Sequence, residues 1–222
     1  MKKLIALTLA LLLALSLTAC KDPDIRGEYV GDPTTATNST TPTENAFDIG
    51  KVEANKYVNK FVGISCELGT DWTYMTDAEI RKNNEAALGA MGDDYAEAIE
   101  NATTFTDMMA THKNQTDTVN ITFEKLTGVN TLMSEEKYAE ASKDSLKGAL
   151  ESMGMTNVVI TTGTAPFAGK DHSYVAVSAQ YSGIPVYERM AVVKSSNYMV
   201  VIVACTWQTD TCLDILNTFK AA

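Results

Sequence analysis

The residue with the most distinctive chemistry in this chain is Cys20, which stands at the end of an apolar N-terminal segment. The two residues before it, Thr18 and Ala19, are small, and Leu17 precedes them. A cysteine thiolate is a strong nucleophile, and small neighbouring side chains let the backbone lie flat in a narrow protease groove. Cys20 is therefore the best candidate in the chain for a covalently modified residue.

The segment before Cys20 has the layout of a secretory signal peptide, with two lysines at the start and an apolar stretch behind them. That stretch, residues 4–17, is shorter than the ~20 apolar residues of a membrane-spanning helix. Together with Leu17-Thr18-Ala19-Cys20, the segment resembles the lipobox signal of bacterial lipoproteins. The alternative is an ordinary signal peptide followed by a coincidental cysteine.

The lipobox resemblance implies three properties of the mature protein. Residues 1–19 would be removed, and Cys20 would become its first residue, carrying a diacylglycerol with acyl chains such as palmitate. The protein would be extracytoplasmic, held on the outer face of the cell membrane. Two acyl chains are enough for stable anchoring without a transmembrane helix, because each buried methylene contributes about 0.8 kcal/mol.

Other residue types that perform catalysis form no recognisable motif. The two histidines, His112 and His172, have no ligand-type partner two or four residues away, so we predict no zinc site. No serine lies in a Gly-x-Ser-x-Gly motif, and there is no glycine-rich phosphate loop. Asp171 and His172 form either a titrating pair or a turn. The acids at 93, 94 and 97 lack the spacing of a dedicated calcium loop. The sequence therefore predicts no catalytic residue, no metal and no cofactor.

Three aromatic residues are candidates for a ligand groove: Trp72, Tyr74 and Trp207. Aromatic side chains near strand ends provide flat apolar walls, although they also serve as lids over the ends of a core. We therefore favour a non-catalytic binding or accessory module that meets an envelope protein or a small ligand. The alternatives are a hydrolase-like envelope or extracellular enzyme that uses acids such as Asp71 and Asp94, or a structural spacer.

The charge of the chain disfavours nucleic acid as a partner. The formal net charge is −10, and removal of Lys2 and Lys3 with the signal would leave 16 basic against 28 acidic residues, a net charge of −12. Such a surface repels phosphate groups and favours cationic or neutral partners.

Once Cys20 is modified, an odd number of cysteines remains: Cys66, Cys205 and Cys212. Exported proteins can form disulfides, and Cys205 and Cys212 flank a predicted strand-to-helix turn, so a bridge between them is possible. The alternative is three buried thiols that behave as small apolar side chains. Pairing cannot be decided from spacing alone.

Composition divides the mature chain into a tether and a domain. Residues 20–50 contain a Thr- and Pro-rich stretch whose residues 31–43 include one Ala and no larger apolar side chain. Such a stretch cannot bury enough surface to offset its chain entropy, so we predict a disordered tether with a reach of about 30 Å. We predict one globular domain over residues 51–222.

Periodicity predicts the elements of this domain. Thr76 with Glu79 forms a capping box for one helix, Ser134 caps a longer one, and residues 113–116 form a hairpin turn. We predict helices over 77–91, 93–100 and 134–153, and a last one from Asp210 whose inner face includes Phe219. We predict strands over 61–68, 105–112, 118–126, 158–162, 173–181, 186–193 and 198–207, with a short strand or core plug at Trp72 and Tyr74.

The short turns demand antiparallel neighbours, and residues 198–204, apolar on both faces, belong at the centre of a sheet. The fold class is therefore α+β: a single antiparallel sheet of about six or seven strands with helices packed on its faces. The segments Phe61-Val62-Gly63-Ile64, Gly69-Thr70-Asp71-Trp72 and Ile215-Leu216-Asn217-Thr218-Phe219-Lys220 resemble the PsbP-like family, from about Tyr57 to the last residue. The resemblance implies an α/β/α sandwich and carries no activity or site residue with it.

Overall fold

The structure is a computed structural model that describes residues 47–88, 99 and 101–222. The predicted signal segment, Cys20, most of the tether and the acids at 93, 94 and 97 lie outside the described residues, as does the predicted helix over 93–100 apart from Ile99. Among the helices that are described, none is long and apolar enough to cross a membrane.

The described residues form eleven strands and three α-helices, consistent with the predicted α+β class. The strands are β1 (Lys51–Glu53), β2 (Lys56–Asn59), β3 (Ile64–Glu67), β4 (Trp72–Tyr74), β5 (Thr104–His112), β6 (Thr118–Lys125), β7 (Met155–Phe167), β8 (Lys170–Tyr181), β9 (Ile184–Ser195), β10 (Tyr198–Trp207) and β11 (Phe219–Ala221). The helices are α1 (Asp77–Leu88), α2 (Glu135–Ser152) and α3 (Cys212–Leu216), and a 3₁₀ turn covers Gly128–Leu132.

A seven-stranded antiparallel sheet with the order β4-β5-β6-β10-β9-β8-β7 is the centre of the fold. Strand β10 is the middle strand, and every one of its residues is buried. Its apolar side chains point alternately to two layers, because successive residues of a strand face opposite sides. We call the side of Val200, Ile202 and Ala204 the first face, and the side of Met199, Val201 and Val203 the second face. The central position predicted for this strand is confirmed.

Helix α2 covers the second face. Its buried side chains Tyr138, Leu146 and Leu150 pack against strands β7, β8 and β9. The Ser134 hydroxyl accepts a hydrogen bond from the Lys137 amide at 3.2 Å, so the predicted cap is confirmed. The reciprocal bonds between Thr76 and Glu79 confirm the capping box of α1 as well.

The carboxylate of Glu135 fixes the start of α2 to the sheet. It accepts hydrogen bonds from the amides of Ser173 and Lys194 and lies 3.0 Å from His172 Nδ1. Burial opposes ionisation of Glu135, but these bonds outweigh burial and lower its pKa. His172 therefore pairs with Glu135, and the sequence-adjacent Asp171 is exposed.

A second, four-stranded sheet with the order β1-β2-β3-β11 lies on the first face and was not predicted. The final helix was predicted to continue through Phe219, but α3 ends at Leu216 and Phe219 instead pairs with Cys66 of β3. The Thr218 hydroxyl donates to the Ile215 carbonyl at 2.7 Å and satisfies the helix end, so the chain is free to become a strand.

Asp107 joins the two sheets. It sits where the β5–β6 register shifts between Thr106 and Met108, so a bulge turns its side chain toward the small sheet. Its carboxylate accepts hydrogen bonds from the Tyr57 hydroxyl at 2.5 Å, the Asn59 amide at 3.0 Å and the Gly50 backbone at 2.9 Å. Desolvation raises the pKa of Asp107, and these three donors oppose the rise.

All three cysteines of the described part are free thiols, so the bridge left open between Cys205 and Cys212 does not form. Cys205 belongs to the second face, whereas Cys212 belongs to the first, and the sheet separates them. The Cys212 thiol instead lies 3.2 Å from the Thr206 hydroxyl. The alternative of buried, unpaired thiols describes the structure.

Candidate functional site

The structure does not bring the three predicted groove residues together. Trp72 and Tyr74 lie on the edge strand β4 and pack on the first face, whereas Trp207 packs in the second layer, with its ring 6.0 Å from that of Tyr181. The Tyr74 hydroxyl accepts from the Leu68 amide and donates to the Cys66 carbonyl, both at 3.3 Å. Burial raises the pKa of Tyr74. Trp72 borders an open cleft.

The cleft has a volume of about 270 Å³ and lies at the end of the seven-stranded sheet, between the β3–β4 turn, the β5–β6 hairpin and helix α3. Its wall combines one large aromatic ring, one imidazole, two carboxylates and two threonine hydroxyls. The lining residues are Leu68, Gly69, Trp72, His112, Asp117, Thr211, Asp214, Ile215 and Thr218.

Strand pairing places the aromatic wall. Trp72 is the cross-strand partner of His112, so their rings share a side and lie 5.2 Å apart at 56°. The Trp72 amide donates to the Gly69 carbonyl at 3.0 Å, which closes the turn before β4. Beside this pair, the Lys113 ammonium lies 2.8 Å from the Asp71 carboxylate. The two rings are thus held by backbone pairing on an edge strand.

Asp117 supplies a carboxylate whose two oxygens have different surroundings. Its Oδ1 accepts a hydrogen bond from the Trp207 amide at 3.0 Å and one from the Thr116 hydroxyl at 3.3 Å. Within the part of the chain that the structure describes, its Oδ2 has no hydrogen-bond partner. Asp117, which lines the cleft, therefore has a fixed orientation and one oxygen that receives no hydrogen bond from the described residues.

Helix α3 supplies the second carboxylate. Asp214 is exposed in the first turn of the helix, and its backbone amide donates to the Thr211 carbonyl at 3.1 Å. The buried side chains Cys212, Ile215 and Leu216 hold the helix against the first face. No group of three His, Cys, Asp or Glu residues that could hold a metal ion occurs among the described residues.

The acids considered for an enzyme do not meet in this cleft. Asp71 is exposed and bonded to Lys113, and this hydrogen bond lowers the pKa of Asp71. Asp94 lies outside the described residues. Asp117 and Asp214, which line the cleft, were not among the residues predicted from the sequence to form a site. Asp117 follows a predicted turn and Asp214 lies near a predicted helix start, and these positions are the one sequence feature that pointed to a site.

Glu188 is a second unusual acid, and it lies away from the cleft. It is 2% exposed on β9, between Val186 and Met190 of the second face and directly opposite Cys205. Its carboxyl group has no hydrogen-bond partner among the described residues. Burial alone raises the pKa of Glu188 to about 8. In the same layer, Trp207 Nε1 also lacks a partner within the described part.

Comparison with known proteins places no family name on the chain. No protein-family model matches it, and no curated protein matches its sequence. Among solved structures, it is similar to LpqN, described as involved in cell envelope biogenesis of Mycobacterium tuberculosis. The match has 14% sequence identity and a TM-score of 0.41, and it covers 71% of this chain and 82% of LpqN. Similarity at this level extends no function to this chain.

Proposed function

We propose that this protein is a lipid-anchored extracytoplasmic lipoprotein whose PsbP-like domain is a non-catalytic binding module. Cys20 would carry the lipid, the Thr- and Pro-rich stretch would be the tether, and the cleft beside Trp72 would hold a small ligand. We expect no nucleic acid among its partners, because the chain has a strongly negative net charge that repels phosphate groups.

The arrangement of the two carboxylates in the cleft is the observation that favours binding rather than catalysis. Asp117 lines the cleft, and its Oδ1 is held by a backbone amide. Asp214 comes from a different element and is exposed. Catalysis by paired carboxylates needs both groups held in position, and of these two only Asp117 has a hydrogen bond from the described residues that holds its carboxylate. A fixed acceptor beside an aromatic wall is instead the arrangement that orients a bound molecule.

The anchor is tested by replacing Cys20 with Ala and feeding cells a clickable fatty acid. We expect the label on the native protein to be lost completely in Cys20→Ala, because the three described cysteines, Cys66, Cys205 and Cys212, are all buried. The matched control is Cys66→Ala, which removes a buried thiol and should leave the label unchanged. A Cys20→Ala protein that still carries label at the native level would contradict the proposed anchor.

Ligand binding is tested by purifying the intact lipoprotein from its own envelope and weighing it by native mass spectrometry. We expect a small-molecule adduct on the native protein that is lost in Trp72→Ala, because the indole forms the main wall of the cleft. The control is Val159→Ala, at an exposed position of β7, which is the opposite edge of the seven-stranded sheet from β4, and this variant should keep the adduct. An adduct retained in Trp72→Ala would place the ligand elsewhere.

A further inference from the structure

We infer that the cleft beside Trp72 recognises an organic cation, a primary or substituted alkylammonium group on a short aliphatic chain. This inference rests on the proposed binding function and adds the chemical class of the ligand. Three properties of the cleft support it: the sign of its charge, the nature of its wall and its size.

The charge of the cleft is negative. Asp117 and Asp214 line it, and none of its lining residues in the described part of the chain is a lysine or arginine. The ammonium of Lys113, the residue after His112, is 2.8 Å from the Asp71 carboxylate, which offsets its charge. The whole chain carries a formal charge of −10, and low-dielectric walls concentrate such a field in a cleft. Phosphates and carboxylates are thereby disfavoured as ligands.

The wall of the cleft suits a cation that is partly apolar. A tryptophan ring attracts cations through its quadrupole, and it does so better than tyrosine or phenylalanine. Leu68 and Ile215 add aliphatic surface next to Trp72. No three metal-ligating side chains come together among the described residues, so a bare metal ion would lack a full set of ligands. An ammonium group does not require such a set.

The hydrogen-bonding groups of the cleft are mainly acceptors. Asp117 Oδ2 has no donor of its own within the described part of the chain, and Asp214 is exposed. An ammonium group carries only donors and therefore complements both carboxylates. A volume of about 270 Å³ admits one extended alkylamine, and the open side allows a longer chain to continue into solvent.

The experiment uses the intact lipidated protein in neutral detergent, with spermidine as the probe and isothermal titration calorimetry as the measurement. We expect saturable binding that weakens as salt is added, because surface charges are screened. The neutral analogue 1,8-octanediol should not bind. Trp72→Ala should weaken spermidine binding by about tenfold or more through loss of the cation–π contact.

Asp214→Asn provides a second variant, since this exposed residue can change without unfolding the domain. We expect it to weaken spermidine binding about threefold to tenfold. The matched control is Asp144→Asn, an equal change of charge at an exposed position of α2, which should leave binding unchanged. Circular dichroism establishes that each variant is folded.

The inference is overturned if spermidine does not bind, if 1,8-octanediol binds equally well, or if neither Trp72→Ala nor Asp214→Asn weakens binding. Those results differ from failure of the proposed function. A neutral adduct that is seen in native mass spectrometry and lost in Trp72→Ala would retain the binding module and reject the cationic ligand. Absence of any Trp72-dependent adduct together with absent spermidine binding would reject both.

Discussion

Replacing Glu188 with Gln is expected to stabilise the protein, by an amount that grows as the pH rises. Glu188 is buried in the apolar second layer with no hydrogen-bond partner among the described residues, and its pKa is raised to about 8. Gln has nearly the same shape and no charge. The variant therefore removes the cost of ionising a carboxyl group in the core and leaves the packing of β9 intact.

The direction follows from proton linkage. The pKa of Glu188 is about 8 in the folded protein and 4.5 in its ordinary state, so between these values the folded protein binds a proton that the unfolded chain has released. The free energy of unfolding therefore falls as the pH rises through this window and levels off above it. The difference between the two pKa values of Glu188 corresponds to ~5 kcal/mol in the free energy of unfolding. Because the structure relaxes locally around a buried charge, we expect Glu188→Gln to raise the free energy of unfolding by ~2–4 kcal/mol at alkaline pH.

Urea unfolding at a series of pH values from about 4 to about 9 measures this effect. The two proteins should have nearly equal stability at the acidic end, where Glu188 is protonated in both the folded and the unfolded chain. The control is Glu67→Gln at the exposed end of β3, for which we expect parallel curves at every pH. A constant difference between Glu188→Gln and the native protein across the series would show that Glu188 does not titrate in this window.

Asp107→Ala is expected to cause the largest loss of stability, ~3–5 kcal/mol. The substitution leaves the Tyr57 hydroxyl, the Asn59 amide and the Gly50 backbone without their common acceptor. Gly50 is also closely confined, because a Cβ there would collide with the ring of Tyr57. The loss is therefore concentrated where the small sheet meets the bulge of β5.

Urea unfolding gives the global effect of Asp107→Ala, and hydrogen exchange of the β1 and β2 amides gives the local one. We expect faster exchange in these two strands than in β9 and β10. Tyr57→Phe removes a single donor and should cost ~1–2 kcal/mol. Asp171→Ala, at an exposed position of β8, is the control. An Asp107→Ala protein within ~1 kcal/mol of the native one would mean that the three donors find other acceptors.

Local patterns predicted most of the large sheet. In β6, Val119, Ile121 and Phe123 alternate with polar residues and are fully buried on the first face. The unbroken apolar run of β10 indicated burial on both sides, and that strand occupies the centre. These predictions succeed because side-chain alternation and burial are properties of a single strand.

The small sheet escaped prediction because its signals are weak or non-local. Ala54 and Asn55, with φ of 47° and 64°, join β1 to β2, and a pair of positive φ values usually brings a glycine to such a turn. Strand β11 exists because Phe219 meets Cys66 across the sheet, a contact that no periodicity contains. A five-residue helix directly before it made the segment resemble a longer helix.

The candidate site was only partly accessible from sequence. Trp72 was singled out for its aromatic ring, and the structure places it at a cleft. Asp117 and Asp214 were missed because their approach depends on how the β5–β6 hairpin and α3 fold over the same end of the sheet. Trp207 was grouped with Trp72 although the parity of β10 turns it to the opposite layer. Parity becomes informative only when the register of the strand is known.

The central place of β10 has a consequence for how the chain reaches its native state. Strands β7, β8, β9 and β10 form a meander of sequence neighbours, as do β4, β5 and β6 apart from the helix inserted between β4 and β5. The two meanders are joined by the β6–β10 ladder, in which Thr118 meets Cys205 and Lys125 meets Tyr198. Pairing two strands that are so far apart in the sequence is slow compared with forming hairpins. The seven-stranded sheet therefore closes only when β10, the last of its strands along the chain, meets β6.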